Sequence, residues 1–138
     1  MTTFTITREL DLPSEKAFAI ISDFTRSPGP NISVKVEKKG DPEANGAGTV
    51  RTITIGKVRV RERLESIAPP NSFTYSLLSG APVKDYLGNV EIAPQEDKSL
   101  VRWNVKFTPK IPGTGWLGAI VSKKTINRLL DEMERGNR

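Results

Sequence analysis

Apolar and polar residues alternate along most of this chain, and a helical period interrupts that alternation twice. Phe4, Ile6, Leu10 and Leu12 alternate with Thr5, Thr7, Glu9 and Asp11, the pattern of a half-buried strand, with Arg8 breaking its apolar face. Pro13 ends the strand. Ser14 is placed to cap a helix from Glu15 to about Phe24, with Leu12 as a staple ahead of the cap. Ala17, Phe18, Ile20, Ile21 and Phe24 form its apolar stripe, and the run from Arg26 to Asn31 turns the chain.

Alternation then resumes. Ile32, Val34 and Val36 form one face of a strand, and Gly40–Gly48 is turn chemistry throughout. Further strands are predicted over Thr49–Ile55, Val58–Ile67, Phe73–Ser79, Val83–Ile92 and Leu100–Thr108. The punctuations between them are short, so neighbours pair antiparallel. The second helical stretch runs from Trp116 to about Arg135. Ile126, Leu129, Leu130 and Met133 define its stripe, and Ala119, Trp116 and Ile120 extend it. Lys123 falls inside that stripe, while Leu117 and Val121 fall outside it. Seven strands with one apolar face and one long amphipathic helix have an economical solution. It is an α+β fold in which a curved antiparallel sheet wraps the C-terminal helix, with two short helices between strands 1 and 2. Such a sheet leaves room for a ligand against the helix.

Composition narrows the chemistry. The 138 residues suit one domain, 1–138, and contain neither Cys nor His. Disulfides, thiol nucleophiles, imidazole bases and nearly all transition-metal sites are thereby removed, so neither a metal nor a cofactor is expected. No apolar run is long enough to span a bilayer, and MTTFTITREL does not read as a secretory signal, so a cytoplasmic location is expected. Lys and Arg outnumber Asp and Glu by 21 to 16. The excess is dispersed without a dense cluster or arm, so nucleic acid is not the expected partner. Lys57, Arg59, Arg61, Arg63, Arg102 and Lys106 are assigned to the solvated outer face of the sheet.

Strand parity identifies inward groups. If Gly56-Lys57 is a two-residue turn, Ile55 opposes Val58, Ile53 opposes Val60, and Arg51 opposes Glu62 on the buried face. A single buried charge would cost several kcal/mol, so Arg51 and Glu62 are expected to pair, as a structural ion pair or as a polar anchor for a ligand. Tyr86, Gly88, Val90 and Ile92 share a face, as do Val101, Trp103, Val105 and Phe107, and Phe73, Tyr75 and Leu77. Gly88 within a strand marks a bulge, a bend or an open spot. Lys123 reaches the cavity mouth or snorkels past the sheet edge, and Arg8 poses the same choice. Leu117 and Val121 either pack near Pro30 or form a patch suited to a homodimer; a monomer is equally open.

The chain resembles the START-like superfamily with its helix-grip fold, in the polyketide cyclase/dehydrase-type branch also called SRPBCC proteins. The resemblance spans nearly the whole sequence. It rests on Leu12-Pro13-Ser14-Glu15-Lys16-Ala17-Phe18 leading to Ile21-Ser22-Asp23, on Gly46-Ala47-Gly48-Thr49-Val50-Arg51, and on Val60-Arg61-Glu62-Arg63-Leu64. Phe73-Thr74-Tyr75-Ser76-Leu77-Leu78-Ser79-Gly80, Pro82-Val83-Lys84-Asp85-Tyr86-Leu87-Gly88, Val101-Arg102-Trp103 and the run from Phe107 to Trp116 complete it. It departs from the family where Gly29-Pro30-Asn31 stand near a commonly found tryptophan. The resemblance implies a cavity for a hydrophobic small molecule and does not imply a reaction. The candidate ligand-binding residues are Arg51, Glu62, Tyr75, Tyr86, Gly88, Trp103, Val105, Trp116, Ile120 and Lys123. Three readings stay open: a binding module for a lipid-like, aromatic or polyketide-like ligand; a cyclase/dehydratase-type enzyme; and a basic interaction protein with a filled cavity. In the second, Glu62 or Tyr86 would move protons while Arg51 stabilises an enolate or positions a carboxylate.

Overall fold

A computed structural model describes residues 1–27, 31–40 and 46–137. Its elements are β1 (Thr2–Leu10), α1 (Ser14–Ile21), β2 (Ile32–Lys38), β3 (Val50–Ile55), β4 (Val58–Ala68), β5 (Ser72–Ser79), β6 (Val83–Gln95), β7 (Lys98–Pro109) and α2 (Gly115–Asn137). The seven strands form one curved antiparallel sheet in the order β1-β7-β6-β5-β4-β3-β2. Each strand from β2 to β6 pairs with its successor, and β1 is added beside β7, with Thr2 opposite Phe107 and Leu10 opposite Ser99. The α+β arrangement expected from the alternation is present, with α2 against the sheet.

The entry to α1 differs from the expectation. Ser14 is the first helical residue, Pro13 occupies the cap without a side-chain bond, and the first intrahelical bond runs from Ala17 N–H to the Pro13 carbonyl. Proline suits this site because its own missing N–H costs nothing there. Only one helix lies between β1 and β2 among the described residues. It stops at Ile21, where Ser22 turns its hydroxyl back onto the Phe18 carbonyl, and Asp23 accepts bonds from the Thr25 backbone and hydroxyl in a local turn. Residues 28–30 of the expected turn, with Gly29 and Pro30, and residues 41–45 of the expected 40–48 loop lie outside the described residues.

The core is asymmetric. Ala17, Phe18 and Ile21 of α1 pack towards β6 and β7, and the C-terminal half of α2 buries Ile126, Leu129, Leu130 and Met133. Burying side chains of this size contributes roughly 1.5–3 kcal/mol each. The first two turns of α2, in contrast, leave Trp116, Leu117, Ile120 and Val121 largely exposed. Arg8, the charge within the β1 pattern, ties β1 to α2: it donates to the Asn127 carbonyl at 3.2 Å and to Asp131 at 2.6 Å, with Glu134 at 3.6 Å. The result is a molecule packed solid at one end and open at the other.

Candidate functional site

The open end holds a cavity of about 530 Å³ between the sheet and α2. Its buried inner end is formed by Arg51, Glu62, Tyr75 and Trp103, and its mouth by Lys57 and Arg59, the β5–β6 turn at Gly80–Pro82, Ile111, Leu117 and Val121. The wall between them is largely aliphatic, with Ile53, Val60, Leu77 and Leu129 among its residues.

The polar groups of the inner end are positioned by strand register. The two-residue turn at Gly56-Lys57 places Ile55 opposite Val58, Ile53 opposite Val60 and Arg51 opposite Glu62, as parity requires. Arg51 donates from Nε at 3.1 Å and from Nη2 at 2.9 Å, both to Glu62 Oε1. Its guanidinium lies 3.8 Å from the centre of the Phe24 ring, so one of its faces is covered by an aromatic side chain. Glu62 Oε2 has no hydrogen-bond partner among the described residues.

A second polar group is a chain of aromatic side chains. Trp103 Nε1 donates to the Tyr75 hydroxyl at 3.0 Å, and that hydroxyl shares a 3.3 Å hydrogen bond with the Tyr86 hydroxyl. The Tyr75 ring meets the Trp103 ring edge to face at 6.1 Å, while Tyr86 stacks on Phe107 at 6.1 Å. Gly88 makes this possible. It sits directly opposite Tyr75, and a β-carbon built on it would stand 2.2 Å from Tyr75 Cε1 and 2.7 Å from its hydroxyl oxygen. The glycine therefore leaves room for Tyr75 to lie across β6 and reach β7. The open spot suggested by a glycine in a strand is filled by the protein itself. The irregularity in β6 lies just before Tyr86 instead, where Asp85 adopts φ +54 and two residues of β6 oppose one of β7.

Burial raises the Tyr75 hydroxyl well above the ordinary phenol range, with the neighbouring Tyr86 and the Glu62 carboxylate adding to the effect. Burial likewise raises Tyr86, against the hydrogen bond from Tyr75, with Glu62 again adding. Both phenols are neutral at physiological pH.

Of the ten candidate residues, Arg51, Glu62, Tyr75, Tyr86 and Trp103 line the cavity. Gly88, Val105, Trp116, Ile120 and Lys123 are not among its lining residues. Val105 is buried on β7 opposite Gly88. Trp116 and Ile120 belong to a different row of the helix surface: the row that lines the cavity is Leu117, Val121, Thr125, Leu129 and Met133, each four residues from the last. Lys123 lies outside the cavity with its Nζ 5.5 Å from the centre of the Phe4 ring. Leu117 and Val121, departures from the core stripe, are thus mouth residues, and Ser122 and Thr125 join them. The signal available in the sequence was their four-residue spacing in line with Leu129 and Met133. On the outer face, Arg61 pairs with Glu37 at 2.8 Å and Arg63 with Glu65 at 2.7 Å, whereas Lys57 and Arg59 reach the rim of the cavity.

Among the described residues, no cluster of acidic side chains suits a metal, and no helix is long and apolar enough to cross a membrane. A comparison with curated proteins gives no match. Solved structures share the fold. XoxI from Bacillus cereus matches with a TM-score of 0.77 at 22% identity, over 98% of this chain and 94% of that one. A START superfamily protein from Mycobacterium smegmatis matches at 0.75 and 16% identity, over 97% and 95%. Norcoclaurine synthase from Thalictrum flavum, in complex with dopamine and hydroxybenzaldehyde, matches at 0.74 and 10% identity, over 97% and 84%. The family described as polyketide cyclase / dehydrase and lipid transport matches residues 1–137, and the chain belongs to that family.

Proposed function

We propose that the protein binds one hydrophobic small molecule, lipid-like, aromatic or polyketide-like, in the space between the sheet and α2. The observation that carries this reading is the division of the cavity: a mostly aliphatic wall leads from an open mouth to one buried polar end. A site of this size, apolar with a few converging polar groups, suits a ligand that is held by its body and oriented by one end. The family description, which couples cyclase/dehydrase members with lipid transport, supports a small-molecule role without choosing between transport and turnover. The two phenols, raised by burial, offer hydrogen bonds to the buried end of a ligand.

The test is native mass spectrometry after gentle purification from the natural host, followed by titration of the stripped protein with the neutral dye Nile red. The expected result is a stoichiometric apolar compound, or saturable one-to-one dye binding. Val121→Trp at the mouth should weaken dye binding at least about tenfold without lowering the unfolding midpoint. Bare protein that takes up no dye would refute the proposal.

A further inference from the structure

The buried end of the cavity has a donor and acceptor inventory that restricts what it accepts. Arg51 directs Nε and Nη2 at a single carboxylate oxygen of Glu62, and Phe24 covers one face of its guanidinium. Two of the five guanidinium N–H donors are used in that pair, and the charge of the cation is matched by Glu62 before any ligand arrives. The Arg51–Glu62 unit has no net charge, so a charge of either sign brought beside it would be desolvated without a counter-ion. Beside the remaining guanidinium N–H donors, the unit leaves Glu62 Oε2, an acceptor in a residue that lines the cavity. The Tyr75–Tyr86 pair supplies the complement. Tyr75 accepts from Trp103, the two phenols share one proton between their oxygens, and the other phenol proton is available to an incoming acceptor. Tyr75 stands opposite Leu64 and Glu62 opposite Leu77, so acceptor and donor sit on adjacent strands facing the same space.

We infer that the buried end of the ligand is a neutral hydroxyl, phenolic or alcoholic, which donates to Glu62 Oε2 and accepts from the Tyr75–Tyr86 pair. A carboxylate would place a second negative charge beside Glu62, with one guanidinium to serve both. An ammonium group would bring donors only, beside Arg51. A ketone would leave the carboxylate oxygen unsatisfied, and a bare hydrocarbon would leave both groups so.

This inference rests on the proposed binding function, and the experiment separates the two. Calorimetric titration at pH 7 compares 2-naphthol, 2-naphthoate, 2-naphthylmethylamine and 2-methylnaphthalene, with decanol and decanoate as an aliphatic pair. The hydroxyl compound of each series should bind about tenfold or more tightly than its charged or bare counterparts. Glu62→Gln frees Arg51 and should shift the order towards naphthoate, narrowing or reversing the gap. If that variant does not fold, Tyr86→Phe should reduce the advantage of naphthol over methylnaphthalene several-fold. Binding in which naphthoate or the amine equals or exceeds naphthol overturns the hydroxyl assignment and leaves the binding function standing. Failure of both series to bind protein that takes up Nile red overturns the hydroxyl assignment alone; failure of both series and of the dye removes the binding function, and the assignment with it.

Discussion

Gly88→Ala is a one-carbon change with a large expected effect. The new β-carbon would lie 2.2 Å from Tyr75 Cε1 and 2.4 Å from Cζ, more than an ångström inside ordinary contact. Gly88 is flanked by Tyr75 on one side and Val105 on the other, so the backbone is held by β5 and β7 and the ring must yield. A displaced ring gives up the Trp103 bond and the Tyr86 bond together. Overpacking of this kind costs about 1–3 kcal/mol, and a stranded buried indole N–H adds about 1–3 kcal/mol. Loss of glycine's freedom in the unfolded chain offsets roughly 0.4–1 kcal/mol. A net destabilisation of about 2–4 kcal/mol follows. Urea unfolding of the wild type, Gly88→Ala, Tyr75→Val and the double variant closes a cycle. With the ring removed, the alanine should cost little or stabilise slightly, giving a coupling of about 2 kcal/mol or more. An alanine that is harmless in the wild type, or equally harmful in both backgrounds, would refute the placement of Tyr75 across β6.

Three further outcomes are expected. Removing one member of the buried pair, as in Arg51→Met or Glu62→Leu, should cost about 3–5 kcal/mol in urea unfolding, and the double variant should recover much of that loss. Tyr75 and Tyr86 are the chain's two tyrosines, so absorbance near 295 nm should show no phenolate in the folded protein as pH passes the ordinary tyrosine value. Because both are raised in the folded state, their contribution to stability is complete below about pH 10 and is lost as pH rises above it; denaturant midpoints measured from pH 8 to 11 should fall only in the upper part of that range. Glu65 is held below the usual carboxylate range chiefly by the Ser76 hydroxyl, with Arg63 assisting. Ser76→Ala should therefore move its titration upward in a carboxyl-carbon NMR experiment.

Much of this architecture was legible because strand register is arithmetic. A two-residue turn at Gly56-Lys57 determines that Arg51 faces Glu62, and no tertiary information is needed. Tyr75 opposite Gly88 was not legible in that way. The β5–β6 connection is longer, and β4 carries an extra residue between Leu64 and Ser66, so counting from one strand does not carry across to the next. The cavity face of α2 was misassigned for another reason. The stripe read from Ile126 to Met133 was extended towards the start of the helix through Ile120 and Trp116, whereas the row that continues from Met133 and Leu129 along the cavity runs through Thr125, Val121 and Leu117. At the open end the helix faces a void. Of its apolar residues there, Leu117 and Val121 lie on the row that lines the cavity, and Trp116 and Ile120 do not. Trp116 is 66% exposed, a placement that hydrophobicity alone does not foretell.

The partnership of β1 with β7 has a consequence for how the chain assembles. Strands β2 to β7 can zip in order as they emerge from a ribosome, each onto its predecessor, but β1 has no strand partner until β7 is made. Thr2 must wait for Phe107, and Arg8 for Asn127 and Asp131 beyond it. Closure of so long a loop is the slow, late kind of event. Until it happens the nascent sheet has an unpaired edge at β7, and α2 has no β1 against which to seat. The seat of α2 above the cavity therefore depends on contacts with β1, a strand 119 residues away in sequence at the Arg8–Asn127 bond.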